Sequence, residues 1–569
     1  MKERLSLTVL IAAGIAFNFL LNTYRWLGSG YMATGFIPSA ALASGVIVAY
    51  VAARWRISGS TRARRFIMPA ASAFLAVMLI YSVAEGAIQF LYARPFIPYT
   101  DVSYVTGGML LLFPESTTTV TALTPLVIFL ILVAAYAVTR GFLGLAHRHF
   151  CRVPAPRRRY TMTAVGVLVV SLLGTVSIEA VSTPRRDTET WASALLPVMG
   201  QGFTSFDQFE VESRIATDTP ADDPSEPAAA STQSFGLPGI RDADIYVFAI
   251  ESYGITIFED DVQRASLGPV LQSTSDTLNE AGYHIASSFL ESPVFSGMSW
   301  LAEATFLSGN VIDRQSRFEN LIETGAFTLP DFLEAEAGYY AMKAKPGAVH
   351  DDWPEGREVF GFDEMLIAHN GDFGYQGPWF SFVPVPDQFA IHALHNRIQS
   401  RIDDGTLAER PLFAYYQLVS SHMPFNHIPE YLPDWSDLGD GSVFFETENL
   451  RFDNDYFSGT EYVDGFIASI DYVLTVLTEY LTRFVPDDRE SLIILYGDHQ
   501  PGSVVSGRGA SRSVPVHVVS RNRSVVQSFV DELAYNPGII PDQPYPHLHM
   551  ASFFPDFVRI STDTTAIEE

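Results

Sequence analysis

The chain has little cysteine and little lysine. Its 569 residues contain one cysteine, Cys151, so no disulfide within the chain can stabilise it. Its three lysines are Lys2, Lys343 and Lys345. Acidic residues number 64 against 36 basic ones, which leaves a formal net charge of −28. A surface of this sign argues against binding nucleic acid and against electrostatic docking on anionic lipid.

Polar residues are scarce in the first third of the chain. Five apolar runs are each long enough to cross a bilayer core of about 30 Å as a helix. The first run follows Lys2 and Arg4 without a small-residue cleavage site, so we expect a retained anchor rather than a signal peptide. The predicted transmembrane helices span residues 5–24, 33–53, 66–92, 121–139 and 161–181.

Arginine is distributed unevenly among the connections between these runs. It clusters after the second and fourth runs, whereas the connections after the first and third contain only Arg25 and Arg94. By the positive-inside rule, the N-terminus is then cytoplasmic and everything after about residue 182 is extracytoplasmic. The sequence therefore predicts an integral membrane protein with a large acidic domain outside.

The composition changes twice after the apolar region. Residues 182–242 are rich in Pro, Asp, Ser and Ala around 216–234 and predict a connector with a flexible tether. We therefore divide the chain into a transmembrane domain (1–181), this connector (182–242) and a catalytic domain (243–569).

From residue 243 onward, short apolar runs alternate with helical patterns. This alternation predicts an α/β fold, an α/β/α sandwich with a mostly parallel central sheet. Near-continuous apolar runs are typical of strands that are buried on both faces. The predicted strands are 243–251, 283–289, 411–420, 491–497 and 514–519, and the predicted helices are 262–281, 299–308, 328–336, 387–403, 456–484 and 549–558.

Two predicted strands end in residues that commonly bind metals. The strand 491–497 runs into Asp498 and His499, and the first strand runs into Glu251. Ligands bind beyond the carboxyl ends of strands in open α/β sheets, where these side chains are well placed to hold a divalent cation. The alternatives are a helix cap with a surface histidine for the pair, and an acid near a helix N-cap for Glu251.

Ser299 stands where a glycine-containing turn enters a predicted helix. A serine at this position commonly caps the helix by accepting hydrogen bonds from free backbone N–H groups. The same position suits a nucleophile, because a helix N-terminus favours a phosphate and a bound cation lowers the pKa of the hydroxyl. An Oγ committed to capping is a poor nucleophile, so the two roles compete.

Three further residues carry chemistry. His422 follows a strand and could give a proton to a leaving oxygen, or could simply pack at the strand end. Lys343 and Lys345 alternate onto one face of the chain, either for substrate binding or as ordinary surface charge.

These motifs together resemble the lipoteichoic acid synthase and phosphoglycerol transferase group of the alkaline phosphatase and sulfatase superfamily. The strand-end Glu matches Glu251, the Gly-x-Thr/Ser motif matches 297–299, the Asn/Ser-His-x-Pro-Phe motif matches 421–425, and the Gly-Asp-His motif matches 497–499. The resemblance implies five transmembrane helices before an external α/β/α domain. It also implies one divalent metal held by Glu251, Ser299, Asp498 and His499, with Mn²⁺ expected and Mg²⁺ or Zn²⁺ as alternatives.

The resemblance also extends to substrate binding. It places His422 on the substrate and makes Trp353 and Arg357 the nearest matches to the residues that bind phosphoglycerol, although the family's two residues are adjacent. Ser299 stands in place of the more familiar threonine and is followed by Trp300, which is similar to glucan-directed phosphoglycerol transferases. Phosphoethanolamine transferases carry several disulfides that this chain lacks, and the sulfatase motif Cys/Ser-x-Pro-x-Arg does not follow Ser299.

The expected function is therefore a metal-dependent transferase in a bacterial inner membrane, multi-pass, with its catalytic domain extracytoplasmic. It would move a phospholipid head group, phosphoglycerol first, onto an envelope glycan or polymer through a phosphorylated Ser299. The alternatives are an anchored phosphodiesterase or phosphatase, a phosphoethanolamine transferase, and a non-catalytic membrane sensor.

Overall fold

The structure is a computed structural model that divides into two compact units, Met1–Ala221 and Asp222–Glu569. Each unit is described by itself. The residues that the structure describes are 2–22, 61–92, 117–152, 237–348, 360–407, 410–453, 461–507, 510–541 and 548–562.

The described part of the first unit is helical. It consists of α1 (Lys2–Leu21), α2 (Thr61–Tyr92) and α3 (Thr117–Arg152). The helices pack through aromatic and polar contacts. The rings of Phe17 and Phe142 stack at 4.8 Å, and the Thr139 hydroxyl donates to the Ser72 carbonyl at 2.8 Å.

Two helices in the described residues are long and apolar enough to cross a membrane, not five. They are Phe66–Ile88 within α2 and Pro125–His149 within α3, and α1 contributes a shorter apolar stretch, Ala12–Leu21. The predicted spans 33–53 and 161–181 lie outside the described residues. The prediction 66–92 thus falls on α2 and the prediction 121–139 on α3.

The second unit is built on a mixed sheet of nine strands within the described residues. The strands are β1 (Asp244–Ile250), β2 (His284–Glu291), β3 (Tyr340–Lys345), β4 (Glu364–Ile367), β5 (Leu412–Leu418), β8 (Ser491–Gly497), β9 (Ser513–Ser520), β10 (Asn536–Pro537) and β11 (Leu548–His549), and β6 (His427–Ile428) pairs separately with β7 (Leu450–Arg451). The strand order in the sheet is β10-β2-β9-β8-β1-β5-β3-β4, with β11 paired to β2.

The centre of the sheet is parallel, as the sequence predicts. β1 lies between β8 and β5, parallel to both, and β3 and β4 continue the parallel set. Every residue of β1 and of β8 is buried. This burial on both faces explains the uninterrupted apolar runs in these segments.

The sheet is mixed at one side of this parallel set, which agrees with the prediction of a mostly parallel sheet. β9 runs antiparallel to both β8 and β2. The connection from β8 to β9, residues 498–512, includes the one-turn helix Ser503–Ser506 among its described residues. The sequence also missed β3 and β4. β3 contains two lysines, so it does not look like a buried strand, yet five of its six residues are buried.

Helices cover both faces of the sheet and make the predicted three-layer sandwich. On one face, Leu267, Phe389 and Ile470 pack in a core cluster with Phe248 of β1. On the other face, Phe306 stacks on Tyr496 at 4.1 Å. The helices are α4 (Thr256–Glu259), α5 (Asp261–Glu280), α6 (Ser299–Ser308), α7 (Gln315–Thr324), α8 (Leu329–Ala337), α9 (Asp387–Asp403), α10 (Tyr462–Arg483), α11 (Ser503–Ser506), α12 (Arg523–Leu533) and α13 (Phe553–Thr562).

The predicted helix limits hold for 299–308 and 387–403. The last helix begins at Phe553 rather than at 549, because a 3₁₀ turn, Met550–Ser552, precedes it. Residues 182–236 of the predicted connector 182–242 lie outside the described residues.

Candidate metal and nucleophile site

Two neighbouring strands bring three acidic and imidazole side chains together. β1 and β8 pair in parallel with Ile250 opposite Gly497, so the residues that follow, Glu251 and Asp498, emerge side by side. His499 comes next. All three are buried, and one potential ligand atom from each lies within 4.8 Å of the others. The strand-exit geometry that the sequence suggests is therefore present.

The turn after β8 requires glycine at 497. A Cβ added there would lie 1.8 Å from the carbonyl oxygen of Tyr253, a backbone atom that cannot move aside cheaply. This close approach allows the residues that follow β1 to hydrogen-bond to the residues that follow β8. Oδ1 of Asp498 accepts hydrogen bonds from the backbone N–H of Ser252 at 2.8 Å and from that of His499 at 2.6 Å.

His499 is oriented through both ring nitrogens. The backbone N–H of Gly297 lies 2.9 Å from Nε2 and can only donate, so Nε2 acts as an acceptor. Nδ1 lies 2.9 Å from the carbonyl oxygen of Gln500 and, when protonated, donates to it. Nε2 also lies 3.2 Å from Oε1 of Glu251, so this nitrogen faces the carboxylate.

Ser299 points into this cluster rather than capping its helix. It is the first residue of α6, and Met298 before it has a left-handed backbone with φ of 63°. The preceding residues Ser296 and Gly297 also have positive φ values, 54° and 104°. This strained turn aims the Ser299 hydroxyl at Oε2 of Glu251, to which it donates at 2.9 Å. Oγ lies 3.3 Å from Nε2 of His499.

A fourth segment reaches the same edge from β5. The Ser421 hydroxyl donates to the backbone carbonyl of Glu251 at 2.6 Å. His422 beside it is exposed, and its charge contributes to lowering the pKa of Glu251. The ring of Phe382 lies 6.2 Å from that of His422, centroid to centroid. An exposed imidazole thus stands next to a buried carboxylate and hydroxyl.

The loop that carries Ser421 and His422 is held by Asp387, the first residue of α9. The Asp387 carboxylate accepts from the backbone N–H groups of Val419 at 2.7 Å and Ser420 at 3.1 Å. Burial raises the pKa of Asp387 to about 7. The sequence carried no signal for this role, because the contact joins segments more than thirty residues apart.

The electrostatics of the cluster favour bound positive charge. Burial and the nearby charge of Glu251 raise the pKa of Asp498 to about 8. Burial lowers the pKa of His499, but the charges of Asp498 and Glu251 outweigh it and raise the pKa to about 9. Burial also opposes ionisation of Glu251, yet attraction to His499 lowers its pKa to about 2. The two buried carboxylates therefore favour positive charge between them, which either bound protons or a metal ion can provide.

The donor set fits a divalent metal ion. Two carboxylates, one imidazole and a hydroxyl are ligand types that Mn²⁺, Mg²⁺ and Zn²⁺ accept in proteins. Among the described residues, Glu251, Asp498 and His499 are the one group of three such side chains close enough to bind one ion. The residues that would hold it are these three and Ser299.

Lys343 and Lys345 are buried in the protein interior rather than exposed on its surface. Lys343 is fully buried and forms an ion pair with Glu303, while the rings of Phe362 and Tyr415 lie 5.3 and 5.0 Å from its ammonium nitrogen. Burial lowers its pKa. Lys345 is also buried. The interpretation of these lysines as surface charge is wrong, and a direct substrate contact remains a prediction.

Glu303 is a residue that sequence analysis missed. It lies one helical turn after Ser299 and is the one charged residue of this helix, and its burial without a partner would be very costly. A single acid in a helix with no other charged residue was the available signal. Trp353 and Arg357 lie outside the described residues.

The chain resembles known proteins in structure, although no sequence comparison matches it. No protein-family model matches the chain, and no curated protein matches it in sequence. Solved structures with a similar fold exist. The lipoteichoic acid synthase LtaP from Listeria monocytogenes aligns with 15% identity and a TM-score of 0.34, over 49% of this chain and 66% of its own, just under two thirds of its length.

Two other solved proteins align over comparable lengths. The Streptococcus pyogenes phosphoglycerol transferase GacH, in complex with sn-glycerol-1-phosphate, aligns with 14% identity and a TM-score of 0.33, over 50% of this chain and 69% of its own. The periplasmic domain of EcEptC from Escherichia coli, in complex with Zn, aligns with 9% identity and a TM-score of 0.36, over 57% and 84%.

Proposed function

We propose that the protein is a membrane-anchored phosphotransferase that moves the head group of a phospholipid onto an envelope glycan through a phosphorylated Ser299. The observation that carries the proposal is the convergence of a strained-turn serine on Glu251 and His499. The Ser299 hydroxyl lies 2.9 Å from Oε2 of Glu251 and 3.3 Å from Nε2 of His499. A serine held in this way suits nucleophilic attack better than helix capping.

In the first half-reaction, Oγ of Ser299 attacks the phosphorus of the donor. The Oγ–P bond forms, the bond from phosphorus to the diacylglycerol oxygen breaks, and the hydroxyl proton leaves along the hydrogen bond to Glu251. His422, exposed beside the site, gives a proton to the departing diacylglycerol oxygen. The products are diacylglycerol and a phosphodiester on Ser299.

In the second half-reaction, a hydroxyl of the acceptor attacks the same phosphorus. Its proton passes to His422, which is neutral after the first step, and the Oγ–P bond breaks. Ser299 regains a proton and the head group ends on the acceptor. A divalent metal bound by Glu251, Ser299, Asp498 and His499 supplies positive charge that lowers the pKa of the hydroxyl and stabilises the phosphoryl oxygens.

The substrate class follows from the expected location. Five consecutive apolar residues of α3 are each between 46% and 59% exposed. They are Phe129, Leu130, Ile131, Leu132 and Val133. Consecutive residues point to all sides of a helix, so this stretch suits lipid on all sides. We infer a multi-pass anchor that keeps the catalytic unit extracytoplasmic, where lipid head groups are the available phosphate esters.

Phosphoglycerol is the proposed head group and Mn²⁺ the proposed metal, both from the motif resemblance. Phosphoethanolamine is the less favoured head group, because the one cysteine of the chain, Cys151, precludes the disulfides of those enzymes. A bacterial inner membrane is the proposed site of action.

The test is trapping of the covalent intermediate. The full-length protein in detergent with Mn²⁺ is incubated with phosphatidylglycerol labelled in its head group, and label on Ser299 is sought by peptide mass spectrometry. We expect label on the wild type and none on Ser299→Ala. Ser528→Ala is the matched control, because Ser528 is a half-buried helical serine on α12 whose hydroxyl bonds within its own helix, to the Ser524 carbonyl.

The fate of the label decides between transferase and hydrolase. Label that passes to an added glycan supports transfer, whereas quantitative release to water makes the protein a phosphodiesterase. Transfer that persists in Ser299→Ala removes Ser299 from the mechanism.

A further inference from the structure

A cavity opens at the same edge of the sheet as the candidate metal site. It has a volume of about 280 Å³, and its floor includes Ala348 after β3 and Ala368 after β4. β3 and β4 run parallel to β1 through β5, so their carboxyl ends meet the edge from which Glu251 emerges. With strands spaced by about 4.8 Å, β3 and β4 lie roughly 10 and 14 Å from β1.

Aromatic side chains form the walls of this cavity. Phe373, Tyr375 and Trp379 line it, and Trp379 is 52% exposed. A tryptophan that is half open to solvent at the rim of a cavity offers a flat apolar face with a polar edge. We propose that this cleft binds a sugar ring of the acceptor glycan, with Trp379 as the stacking platform. The inference rests on the proposed function and names where its acceptor lies.

The cleft is rigid enough to be a preformed site. The Tyr375 hydroxyl donates to the carbonyl of Pro378 at 2.9 Å, and its ring packs edge-on against Phe389 at 4.9 Å. A Cβ added at Gly377 or Gly441 would lie within 2.4 Å of the Tyr375 side chain, so the glycines allow the ring to sit between two backbone segments. Few rotamers must be ordered when a ligand binds such a wall.

The chemistry of the lining selects a neutral sugar. No lysine or arginine occurs among the described residues that line the cavity. His369 adds a ring with hydrogen-bonding nitrogens to the lining. An acyl chain would desolvate these groups without replacing their hydrogen bonds, whereas sugar hydroxyls replace them.

The cleft connects directly to the catalytic loop. Phe380 and Val383 exchange backbone hydrogen bonds at 2.9 and 3.1 Å, which closes a tight turn between Trp379 and the cavity residues Pro384 and Val385. Phe382, at the tip of this turn, contacts the ring of His422. A glycan lying in the cleft therefore leads toward His422.

Direct binding tests the cleft without any transfer. The full-length protein in detergent, without donor lipid, is titrated by calorimetry with three glucose hexamers carrying α-1,4, β-1,3 and β-1,4 linkages. Stacking on a flat face tolerates different linkages, so we expect saturable binding of at least one hexamer. Trp379→Ala should weaken it by about tenfold, and Trp379→Phe should restore most of it.

The control variant is Phe327→Ala, which removes another aromatic ring that is 51% exposed. It should leave the hexamer affinity unchanged. The proposal is overturned if none of the hexamers binds, if binding survives Trp379→Ala, or if dihexanoyl phosphatidylglycerol displaces the sugar competitively in the Ser299→Ala protein. These failures leave labelling of Ser299 intact, whereas failure of the proposed function abolishes labelling and leaves sugar binding measurable.

Discussion

The Ser299 hydroxyl donates to Oε2 of Glu251 across 2.9 Å, although 48 positions separate the two residues in the chain. This bond shows that the Ser299 hydroxyl does not cap its helix, and the helix has no side-chain cap at its N-terminus. It also joins the exit of β1 to the start of α6, so the proposed nucleophile is hydrogen-bonded to a proposed metal ligand.

Metal affinity should rise with pH. The pKa of Asp498 is raised to about 8 and that of His499 to about 9, so below pH 8 the metal-free site holds protons that a cation must displace. Between pH 6 and 9 the apparent affinity for Mn²⁺ should increase by up to about tenfold per pH unit for each proton released. Calorimetry in buffers of different ionisation enthalpy measures both quantities. An affinity independent of pH would contradict this electrostatic account.

Gly497→Ala should weaken metal binding. The added Cβ would meet the Tyr253 carbonyl oxygen at 1.8 Å, which forces the exits of β1 and β8 apart. We expect the Kd for Mn²⁺ to rise by at least about tenfold, the range seen when ligand positioning is lost. Gly268→Ala is the control, because an added Cβ there meets nothing within 4 Å and alanine favours the helix. Equal affinities in the two variants would refute the role of Gly497.

Ser421→Ala should lower both stability and metal affinity. Its hydroxyl supplies a 2.6 Å hydrogen bond to the buried carbonyl of Glu251, and losing such a donor costs about 1–3 kcal/mol. Ser469→Ala is the comparison, because the Ser469 hydroxyl is also buried but donates within its own helix, to Phe466. Chemical unfolding measures stability and calorimetry measures the Kd. If both variants lose stability and neither loses affinity, Ser421 has only a structural role.

Lys343→Met should destabilise the protein, because it removes the ion-pair partner of Glu303 in the interior. Breaking one side of a buried pair costs about 3–5 kcal/mol, whereas replacing both partners with apolar residues is often neutral. The double variant Lys343→Met/Glu303→Leu should therefore recover most of the loss in urea unfolding. If Lys343 instead contacts substrate, the double variant stays stable but keeps a raised KM for the donor.

Parts of the fold could be predicted because burial leaves a trace in the sequence. The runs that became β1 and β8 are apolar after their first residues, Asp244 and Ser491, and each is followed directly by a residue of the site. β3 could not be recognised in this way, because Lys343 interrupts it and its partner Glu303 lies 40 positions earlier on another element. The sequence predicted β9 as a strand at 514–519 but not its antiparallel direction, because an apolar run carries no information on the direction of its neighbours.

The sequence alone determined which side chains were available at the strand exits: Glu251, Asp498, His499 and a serine at a helix start. These follow from local apolar patterns and from the glycine before Asp498. Only the tertiary structure decided where the Ser299 hydroxyl points and which nitrogen of His499 faces the cluster. Both depend on the pairing of β1 with β8 and on the positive φ values at 296–298, and hydrogen-bond direction is set by such backbone geometry rather than by residue type.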